Sequence, residues 1–364
     1  MKKYVLVTGG AGYIGSHTCV ELSDAGYDYV IIDNFSNSSV KTIDRIKQIT
    51  GREVKYINAD ARNQDVVDRI FEDYEIDSVM HFAGYKAVGE SVLMPITYYR
   101  NNIDCLLAVC ASMIKHNVKR IIFSSSATVY RSENAMPVDE NGMLGCTNPY
   151  GWTKFMLEQI LRDLYNSDNE WSIVLLRYFN PIGAHKSGLI GEEPKGIPNN
   201  LVPYIAQVAS AKLKELHVFG GDYPTKDGSG IRDYIHVVDL AKGHIDALNY
   251  VHHNKGIEAI NLGTGNGYSV FEVVKAFENI CGKALPYVIE NRRPGDIAVC
   301  FANVEKAYKI LGWHAELGIK EMCEDVWRWE TNRTKWNDFM ENRVELEEYR
   351  GKNIRPLNDK SASL

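Results

Sequence analysis

The feature that most constrains the fold of this chain is a glycine-rich loop that directly follows its first apolar segment. Residues Tyr4–Thr8 are apolar and β-branched enough to form a strand, and glycines follow at positions 9, 12 and 15. A run of helical composition, Ser16–Asp24, comes next. Glycine allows the backbone to approach a pyrophosphate, whose charge then lies at the unpaired N–H groups of the helix N-terminus. This order of elements predicts a dinucleotide-binding unit.

The first half of the sequence alternates short β-branched segments with segments of helical composition. Such alternation predicts a parallel sheet that is covered by helices on both faces. The predicted strands are Tyr4–Thr8, Tyr29–Asp33, Val54–Asn58, Ser78–Phe82, Arg120–Ser124 and Ser172–Arg177. We therefore expect an α/β fold, a Rossmann-type doubly wound parallel sheet with a smaller C-terminal substrate-binding α/β region.

An acidic residue, Asp33, closes the second predicted strand. In a dinucleotide-binding unit, a carboxylate at this position accepts hydrogen bonds from the adenosine ribose and repels a 2′-phosphate. The sequence therefore predicts NAD rather than NADP as the cofactor. A strand-end carboxylate that only caps a helix is the alternative.

Serine, tyrosine and lysine follow the fifth predicted strand. Ser126 lies in the run Ser124–Tyr130, and Tyr150 and Lys154 come later, at a spacing that places both on one face of a helix. The unperturbed pKa of a phenol is about 10, but a nearby ammonium group favours the ionised form, which can act as a general base. We predict Tyr150 as the catalytic base, Lys154 as the group that tunes it and Ser126 as a hydroxyl that shares the proton. Taken singly, each residue also has a purely structural explanation.

The overall composition excludes several classes of protein. The chain has 364 residues and a formal net charge of −6, which argues against a basic surface for nucleic acid. Its seven cysteines are scattered, without a close pair of the kind that binds zinc, so we expect free thiols and no metal. Glycines interrupt the apolar N-terminal segment too early for a signal peptide or a membrane span. We expect a cytoplasmic protein that binds neither nucleic acid nor membrane.

Longer motifs match those of a known family. The chain resembles the extended short-chain dehydrogenase/reductase family, and within it the UDP-hexose 4-epimerases, up to about Asn332. The spacing of the three glycines is the variant that this family uses. The other segments that carry the resemblance are His81–Gly84, Lys86–Ser91, Ser124–Tyr130, Leu176–Pro181, Gly196–Leu201, Gly230–His236 and Arg293–Asp296.

The resemblance implies an enzyme that interconverts UDP-glucose and UDP-galactose. In such an enzyme Tyr150 takes the proton of the sugar 4-hydroxyl while NAD accepts the hydride, and the resulting 4-keto sugar rotates and receives the hydride on its other face. NAD is regenerated in each turnover, so no net oxidation occurs. The implied cofactor-binding residues are Gly9, Gly12, Tyr13, Ile14, Gly15, Asp33, Asn34, Asp60, Ala61, Phe82, Ala83, Lys86, Asn101, Tyr150, Lys154 and Tyr178.

The expected partner is a UDP-sugar substrate, and the resemblance also implies the residues that bind it. Two arginines among them suit the diphosphate, because a planar guanidinium group makes two hydrogen bonds to a phosphate. The set comprises Ser126, Tyr150, Asn180, Asn200, Leu201, Arg232, Arg293, Asp296 and Cys300.

Cys300 carries an expectation about specificity. It lies where family members place either a bulky tyrosine or a small residue against the sugar. A small side chain leaves room for a 2-acetamido group, so we expect activity on UDP-GlcNAc and UDP-GalNAc as well. The alternative is a buried thiol that has no influence on specificity.

Two amphipathic segments predict a contact with a second copy of the chain. The segments near 101–117 and 150–166 carry apolar residues at helical spacing beyond what a monomer core requires. We therefore expect a homodimer that is formed through these two helices.

Three other functions stay open at the level of sequence. A nucleotide-sugar 4,6-dehydratase begins with the same oxidation but needs an Asp-Glu pair where this chain has Ala127 and Thr128. A relative that acts on uronates has the same motifs, because pocket residues decide the sugar. A non-catalytic NAD sensor could also use this fold, since a fold does not determine a function.

The composition changes to a loop-rich region after Asn180, with many glycines and prolines. We expect an NAD-binding domain over 1–180, to which a later segment near 235–265 returns, and a nucleotide-sugar-binding domain over 181–340. The remaining residues, 341–364, are highly charged, and we expect a peripheral tail.

Overall fold

The structure is a computed structural model, which describes residues 2–333 except 195, 197, 199, 294 and 295. The predicted tail 341–364 lies outside the described residues. The strands are β1 (Tyr4–Thr8), β2 (Tyr29–Asp33), β3 (Lys55–Asn58), β4 (Ile76–His81), β5 (Arg120–Ser126), β6 (Ser172–Tyr178), β7 (Asn180–Ile182), β8 (Leu216–Phe219), β9 (Ile231–His236), β10 (Gly256–Leu262), β11 (Gly267–Ser269), β12 (Tyr287–Glu290) and β13 (Val299–Cys300).

The helices alternate with these strands. They are α1 (Tyr13–Asp24), α2 (Lys41–Thr50), α3 (Gln64–Asp73), α4 (Val88–Leu93), α5 (Pro95–Lys115), α6 (Pro149–Ser167), α7 (Leu201–Ala209), α8 (Val237–His253), α9 (Val270–Cys281), α10 (Glu305–Leu311) and α11 (319–333). A short 3-10 helix, Ala127–Val129, follows β5. In the described part of the chain, no helix is long and apolar enough to cross a membrane.

Within the described residues, seven parallel strands form the main sheet in the order β3-β2-β1-β4-β5-β6-β10. The chain order reverses between β1 and β4, and ligands of doubly wound sheets bind beyond the carboxyl ends of the strands at such a point. The predicted Rossmann-type fold is confirmed. The predicted cofactor and catalytic residues lie at or near this edge.

The main sheet is buried on both faces, which explains its nearly continuous apolar strands. Successive side chains of a strand point to opposite faces. Val5, Val7 and Ile31 pack in one core with residues of α1, α2 and α8, whereas Leu6 and Ile32 pack in another with residues of α3, α5 and α6. Both cores fix the sheet edge on which the candidate site is built.

A smaller region is organised around β9. This strand pairs with β7 and β13 in parallel and with β11 in antiparallel orientation, and β8 pairs with β12 nearby. Residues of α7, α9 and α11 form its core, including Val202, Ile205, Phe277 and Met322. The division of the chain into two domains stays a prediction.

The main departure from the predicted strands lies at the end of β5, which continues to Ser126 instead of ending at Ser124. A run of serines is typical of a loop, but Ser124–Ser126 pair in register with Leu176–Tyr178 of β6. Pairing with a central neighbour outweighs the weak β propensity of serine. Consequently Ser126 lies at the tip of a strand, where the backbone is fixed on one side by β6.

Candidate active site

The glycine loop connects β1 to α1 with little room for side chains. Gly9 has a φ of +70°, and a Cβ on it would lie 2.8 Å from the backbone nitrogen of Ala83. A Cβ on Gly15 would lie 2.4 Å from the carbonyl oxygen of Gly9. The N-cap of α1 is Gly12, which has no side chain to bond to the first N–H groups of the helix. Tyr13 and Ile14 begin the helix, so their backbone N–H groups can bind an anion.

Asp33 both closes β2 and supports the glycine loop. One carboxylate oxygen accepts a hydrogen bond from the backbone N–H of Ala11 at 3.0 Å, and the other accepts from Phe35 N and Ser38 Oγ, each at 2.9 Å. The carboxylate is therefore fixed next to the loop. This is the position from which a carboxylate contacts the adenosine ribose of NAD.

Asn34, Asp60 and Ala61 lie at the same edge, at the ends of β2 and β3. The Asn34 amide donates to Asp60 at 3.4 Å, and Ala61 is buried. Arg62 makes hydrogen bonds to both oxygens of Asp60, which hold the pKa of this carboxyl below its usual range. The charge of Arg62 is thus engaged by a neighbour, and sequence reasoning had not singled this arginine out.

The segment after β4 carries four predicted cofactor residues, Phe82, Ala83, Lys86 and Asn101. Between Ala83 and Lys86, the backbone of Tyr85 is held by Asn102, which was not predicted: its buried amide accepts from Tyr85 N at 2.8 Å and donates to Tyr85 O at 3.1 Å. It also donates to Thr153 on α6 at 2.9 Å. Asn102 therefore ties this segment to the helix that carries Tyr150 and Lys154, the predicted catalytic residues.

Lys86 is linked to the predicted substrate residue Asn200 through Glu192. Its ammonium group lies 2.8 Å from Glu192 Oε1, and the amide of Asn200 donates to the same oxygen at 2.8 Å. Glu192 was not predicted, and it brings a predicted cofactor residue and a predicted substrate residue together. Leu201, the first residue of α7, follows directly.

Ser126, Tyr150 and Lys154 meet at the carboxyl end of β5. Asn148 caps α6 by accepting from the N–H of Gly151, so that Tyr150 lies in the first turn and Lys154 one turn later. The buried ammonium group of Lys154 donates to the carbonyl of Ser124 at 2.6 Å and lies 6.0 Å from the centre of the Tyr150 ring. Burial lowers the pKa of Lys154 to about 8. The three predicted catalytic residues are thus brought together.

The hydrogen bonds of Ser126 determine what its hydroxyl can do. Its oxygen accepts from the backbone N–H of Thr128 at 3.2 Å and from the Thr128 hydroxyl at 3.0 Å. A hydroxyl oxygen has two acceptor sites, so its own proton is left to be donated. Burial raises the pKa of Tyr150, and the hydrogen bond from Ser126 opposes this rise. Ser126 therefore stabilises the ionised phenol.

Tyr178, at the end of β6, is held by a residue that sequence reasoning missed. Its hydroxyl lies 2.5 Å from Nε2 of His244, a buried residue of α8 whose Nδ1 lies 2.8 Å from the carbonyl oxygen of Leu240. Burial lowers the pKa of His244 to about 4, so the ring is neutral and Nε2 accepts the phenol proton. The Phe82 ring packs on His244 at 4.8 Å between centroids. His244 thus positions two predicted cofactor residues.

The predicted substrate residues are distributed over β7, β9 and the segment before β13. Arg232 lies on β9 and bonds to Asp296 at 3.2 Å, and Arg293 stacks on the Phe219 ring at 3.8 Å. Cys300 pairs with Arg232 in register and packs beside the cluster that includes Val129 and Phe179. It therefore lies between the diphosphate-binding candidates and the turn that follows Ser126.

Asn200 and Leu201 lie at the start of α7, and Asn180 also lies outside this group. It begins β7, where it is exposed and pairs in register with Tyr234. In the described residues, no group of three or more His, Cys, Asp or Glu side chains could hold a metal ion.

Comparisons with known proteins place this arrangement in a family. The sequence model of a family described as GDP-mannose 4,6 dehydratase matches residues 6–326. The UDP-glucose 4-epimerase of Bacillus subtilis strain 168 is 60% identical over 328 residues, which cover 90% of this chain and 97% of that relative.

Solved structures give the same result. A UDP-glucose 4-epimerase from Bifidobacterium longum in complex with NAD⁺ and UDP is 55% identical, with a TM-score of 0.88 over 90% of this chain and 98% of that one. Another, from Stenotrophomonas maltophila with bound NAD and formylated UDP-arabinopyranose, is 46% identical, with a TM-score of 0.90 over 91% of this chain and 99% of that one.

Proposed function

The chain belongs to the UDP-glucose 4-epimerase family, within the extended short-chain dehydrogenases/reductases, and from this membership we infer its activity and mechanism. It is an NAD-dependent enzyme that interconverts UDP-glucose and UDP-galactose. The observation that carries the mechanism is the meeting of Ser126, Tyr150 and Lys154 at the carboxyl end of β5, on the sheet edge that also carries the glycine loop. The broader family model is named after a 4,6-dehydratase, but Ala127 and Thr128 stand where that reaction needs two carboxylates.

The residues of the cofactor side fit NAD. The glycine loop and the uncapped start of α1 suit a pyrophosphate, and Asp33 suits a ribose without a 2′-phosphate. When bound, NAD supplies the acceptor for the hydride of sugar C4 and returns it to the other face of the 4-keto sugar. We propose that Phe82 and Ala83 flank its nicotinamide ribose, that Lys86 and Asn101 bind its pyrophosphate and ribose side, and that Tyr178 is a further cofactor contact.

In the proposed mechanism the protein itself moves the proton. Tyr150 accepts the proton of the sugar 4-hydroxyl, helped by the hydrogen bond that Ser126 donates and by the positive charge of Lys154. Lys154 is predominantly protonated at neutral pH, because its pKa is about 8. One of its three N–H donors is occupied by Ser124, so two remain for a ribose. The reverse proton transfer completes the epimerisation.

We propose that the substrate diphosphate lies against Arg232 and Arg293, with Asp296 orienting Arg232 and receiving the uridine ribose. A guanidinium group offers a planar pair of donors that fits a phosphate. Asn180, Asn200 and Leu201 complete the nucleotide-sugar site from β7 and the start of α7.

We further propose that the enzyme also interconverts UDP-GlcNAc and UDP-GalNAc. Cys300 supports this, because its side chain is small. It lies on β13, paired with Arg232 of β9, and packs near the turn after Ser126. Burial raises the pKa of its thiol, so it stays neutral and acts as a small apolar group.

The assay compares UDP-galactose and UDP-GalNAc turnover by the purified protein, without added reductant, in the wild type and in Cys300→Tyr. We expect the variant to keep turnover of UDP-galactose and to lose most turnover of UDP-GalNAc, since tyrosine would fill the acetamido space. Cys300→Ala, which stays small, is the matched control and should convert both. Undiminished GalNAc turnover by Cys300→Tyr would reject the specificity proposal, and no turnover of either sugar by the wild type would reject the mechanism.

We propose a homodimer through α5 and α6, near 101–117 and 150–166. Large apolar side chains are exposed on these helices, namely Ile96, Leu107, Ile114, Trp152 and Met156. Apolar groups on neighbouring helices that no other part of the described chain covers suit a second copy of the same surface. Sedimentation of the wild type and of Leu107→Glu tests this, and a monomeric wild type would reject it.

We propose a cytoplasmic location, since all seven cysteines are free thiols. We also keep the proposed domains 1–180 and 181–340. In support, β10 joins the main sheet beside β6, as a return of the segment near 235–265 requires.

A further inference from the structure

A buried ion pair lies directly beneath the catalytic residues. Glu158 of α6 and Arg177 of β6 are each about 1% exposed. Arg177 donates to Glu158 through Nε at 2.9 Å and through a terminal nitrogen at 2.7 Å. Burial opposes the charge of Arg177, but the hydrogen bonds and attraction of Glu158 outweigh it and raise the pKa of the guanidinium. Neither residue faces the substrate or the cofactor in the mechanism above.

The pair holds the catalytic turn at both ends. The Ser125 hydroxyl donates to Glu158 at 2.5 Å, immediately before Ser126. At the other end of the turn, Arg177 donates to the Tyr130 hydroxyl at 2.9 Å, and Tyr130 donates in turn to Asn261 at 2.6 Å. The turn between these two anchors carries Ser126 and its hydrogen-bond donor, Thr128.

The same pair holds the helix that carries the base. Tyr150, Lys154 and Glu158 follow one another at intervals of four residues, so they form one stripe along α6. Arg177 of β6 binds Glu158 with two parallel hydrogen bonds. This contact fixes how α6 is rotated about its axis and how closely it packs against β6. The negative charge of Glu158 also raises the pKa of Lys154, whereas burial lowers it.

We propose that Glu158 and Arg177 are positioning residues for the epimerase reaction, which set the distance between the hydroxyl of Ser126 and the phenol of Tyr150. The proposal rests on the proposed function, because it assigns a role in the proton transfer at that site. A purely structural pair would affect stability but would leave proton transfer in the folded protein unchanged. Buried ion pairs can often be replaced by apolar residues without loss of stability, so the two roles can be separated.

Two variants test the positioning role. Ser125→Ala keeps the ion pair but removes its bond to the residue before Ser126. We expect kcat to fall about fivefold with little change in Tm. Glu158→Met with Arg177→Met replaces the pair by apolar side chains of similar length. We expect kcat to fall at least about 30-fold with KM within about threefold, because small displacements of reacting groups cost much of the rate.

Asp239→Asn is the matched control for lost stability. Asp239 is a buried carboxylate on α8 that accepts from the backbone N–H groups of Glu316 and Leu317, away from the catalytic residues. We expect this variant to lower Tm and to leave kcat unchanged. If Asp239→Asn lost kcat to the same extent as the double variant, lost stability would explain the fall of kcat in both, and the proposal would be wrong.

The pH profile gives a readout that stability does not move. Glu158→Gln removes one negative charge and leaves the charge of Arg177 unpaired. Both changes disfavour the charged form of Lys154, so we expect the alkaline limb of the kcat profile, where kcat falls with rising pH, to begin about 0.5–1 pH unit lower. The double variant also lacks this carboxylate, so its alkaline limb should move in the same direction while kcat stays low. If kcat of Glu158→Gln fell at the same alkaline pH as kcat of the wild type, this result would contradict the electrostatic part of the role.

Ser125→Ala decides the question if the more drastic variants do not fold. A wild-type kcat in Ser125→Ala would overturn the positioning role. Failure of the wild type itself to convert UDP-galactose would instead reject the proposed function, so the two failures can be told apart.

Discussion

The two halves of the candidate site are held in different ways. At the carboxyl end of β5, Lys154 is buried and fixed on Ser124, and Ser126 is fixed by two bonds from Thr128. On the small sheet around β9, the side chain of Arg232 is 20% exposed and that of Asp296 37%, and the two meet at 3.2 Å. Proton transfer needs a fixed geometry, whereas a nucleotide must enter and leave its site.

This difference predicts two kinds of kinetic effect. Interactions that form only in the transition state determine kcat, whereas interactions that hold ground state and transition state equally determine KM. Substitutions at the end of β5 should therefore lower kcat, and substitutions around β9 should raise KM.

The largest effect is expected for Tyr150→Phe. The variant keeps the ring and its packing but removes the proton acceptor, and general base catalysis contributes about 10²–10⁴-fold to a rate. We expect kcat for UDP-galactose to fall by about 10³-fold, with KM and bound NAD close to the wild type. Tyr29→Phe is the control, since it removes a buried hydroxyl of β2 that bonds to Ser23, away from the site. Retention of a tenth of the wild-type kcat by Tyr150→Phe would place the base elsewhere.

The next effect concerns the nucleotide side. Arg232→Met removes a guanidinium group but keeps an apolar chain of similar length. Hydrogen bonds between charged partners contribute about 1.5–3 kcal/mol, which corresponds to a rise in KM of about 10–100-fold. We expect kcat at saturating substrate to change by less than about threefold.

Arg292→Met is the matched control for Arg232→Met. Arg292 bonds to Asp222 and stacks on Tyr223, and it has no assigned contact with the substrate. Its KM should stay within about twofold of the wild type. If Arg232→Met lowered kcat as much as it raised KM, the contrast between the two halves would break down.

Local patterns explain what the sequence predicted well. The glycine loop, the acidic end of β2 and the Tyr150–Lys154 spacing each lie within a few residues, and the fold class follows from the alternation of strands and helices. The roles assigned to these residues stay predictions. Even here the end of β5 was missed, because the register of Ser124–Ser126 with β6 is set by another segment.

Contacts between distant segments explain what the sequence did not reveal. Asn102 holds Tyr85 and Thr153, and His244 holds Tyr178, a residue 66 positions away. A lone asparagine or histidine in a helix carries no local signal for such a contact. Similarly, Glu158 appears in the sequence as one more acidic residue of an amphipathic helix. Its importance follows only from the position of Arg177 on β6.

The smallest effect, about tenfold, is expected from pH and concerns Lys154. Burial lowers its pKa to about 8, so the group is charged below that pH and neutral above it. In the proposed mechanism this charge favours the ionised form of Tyr150, so kcat should fall above pH 8 and reach about a tenth of its plateau near pH 9. KM should stay nearly constant over this range, because the guanidinium groups around β9 keep their charge. Activity measured from pH 6 to 9.5, with Tm at each pH to show that the protein is folded, checks the expectation for kcat and the expectation for KM. A flat kcat together with a rising KM would place the titrating group on the nucleotide side instead.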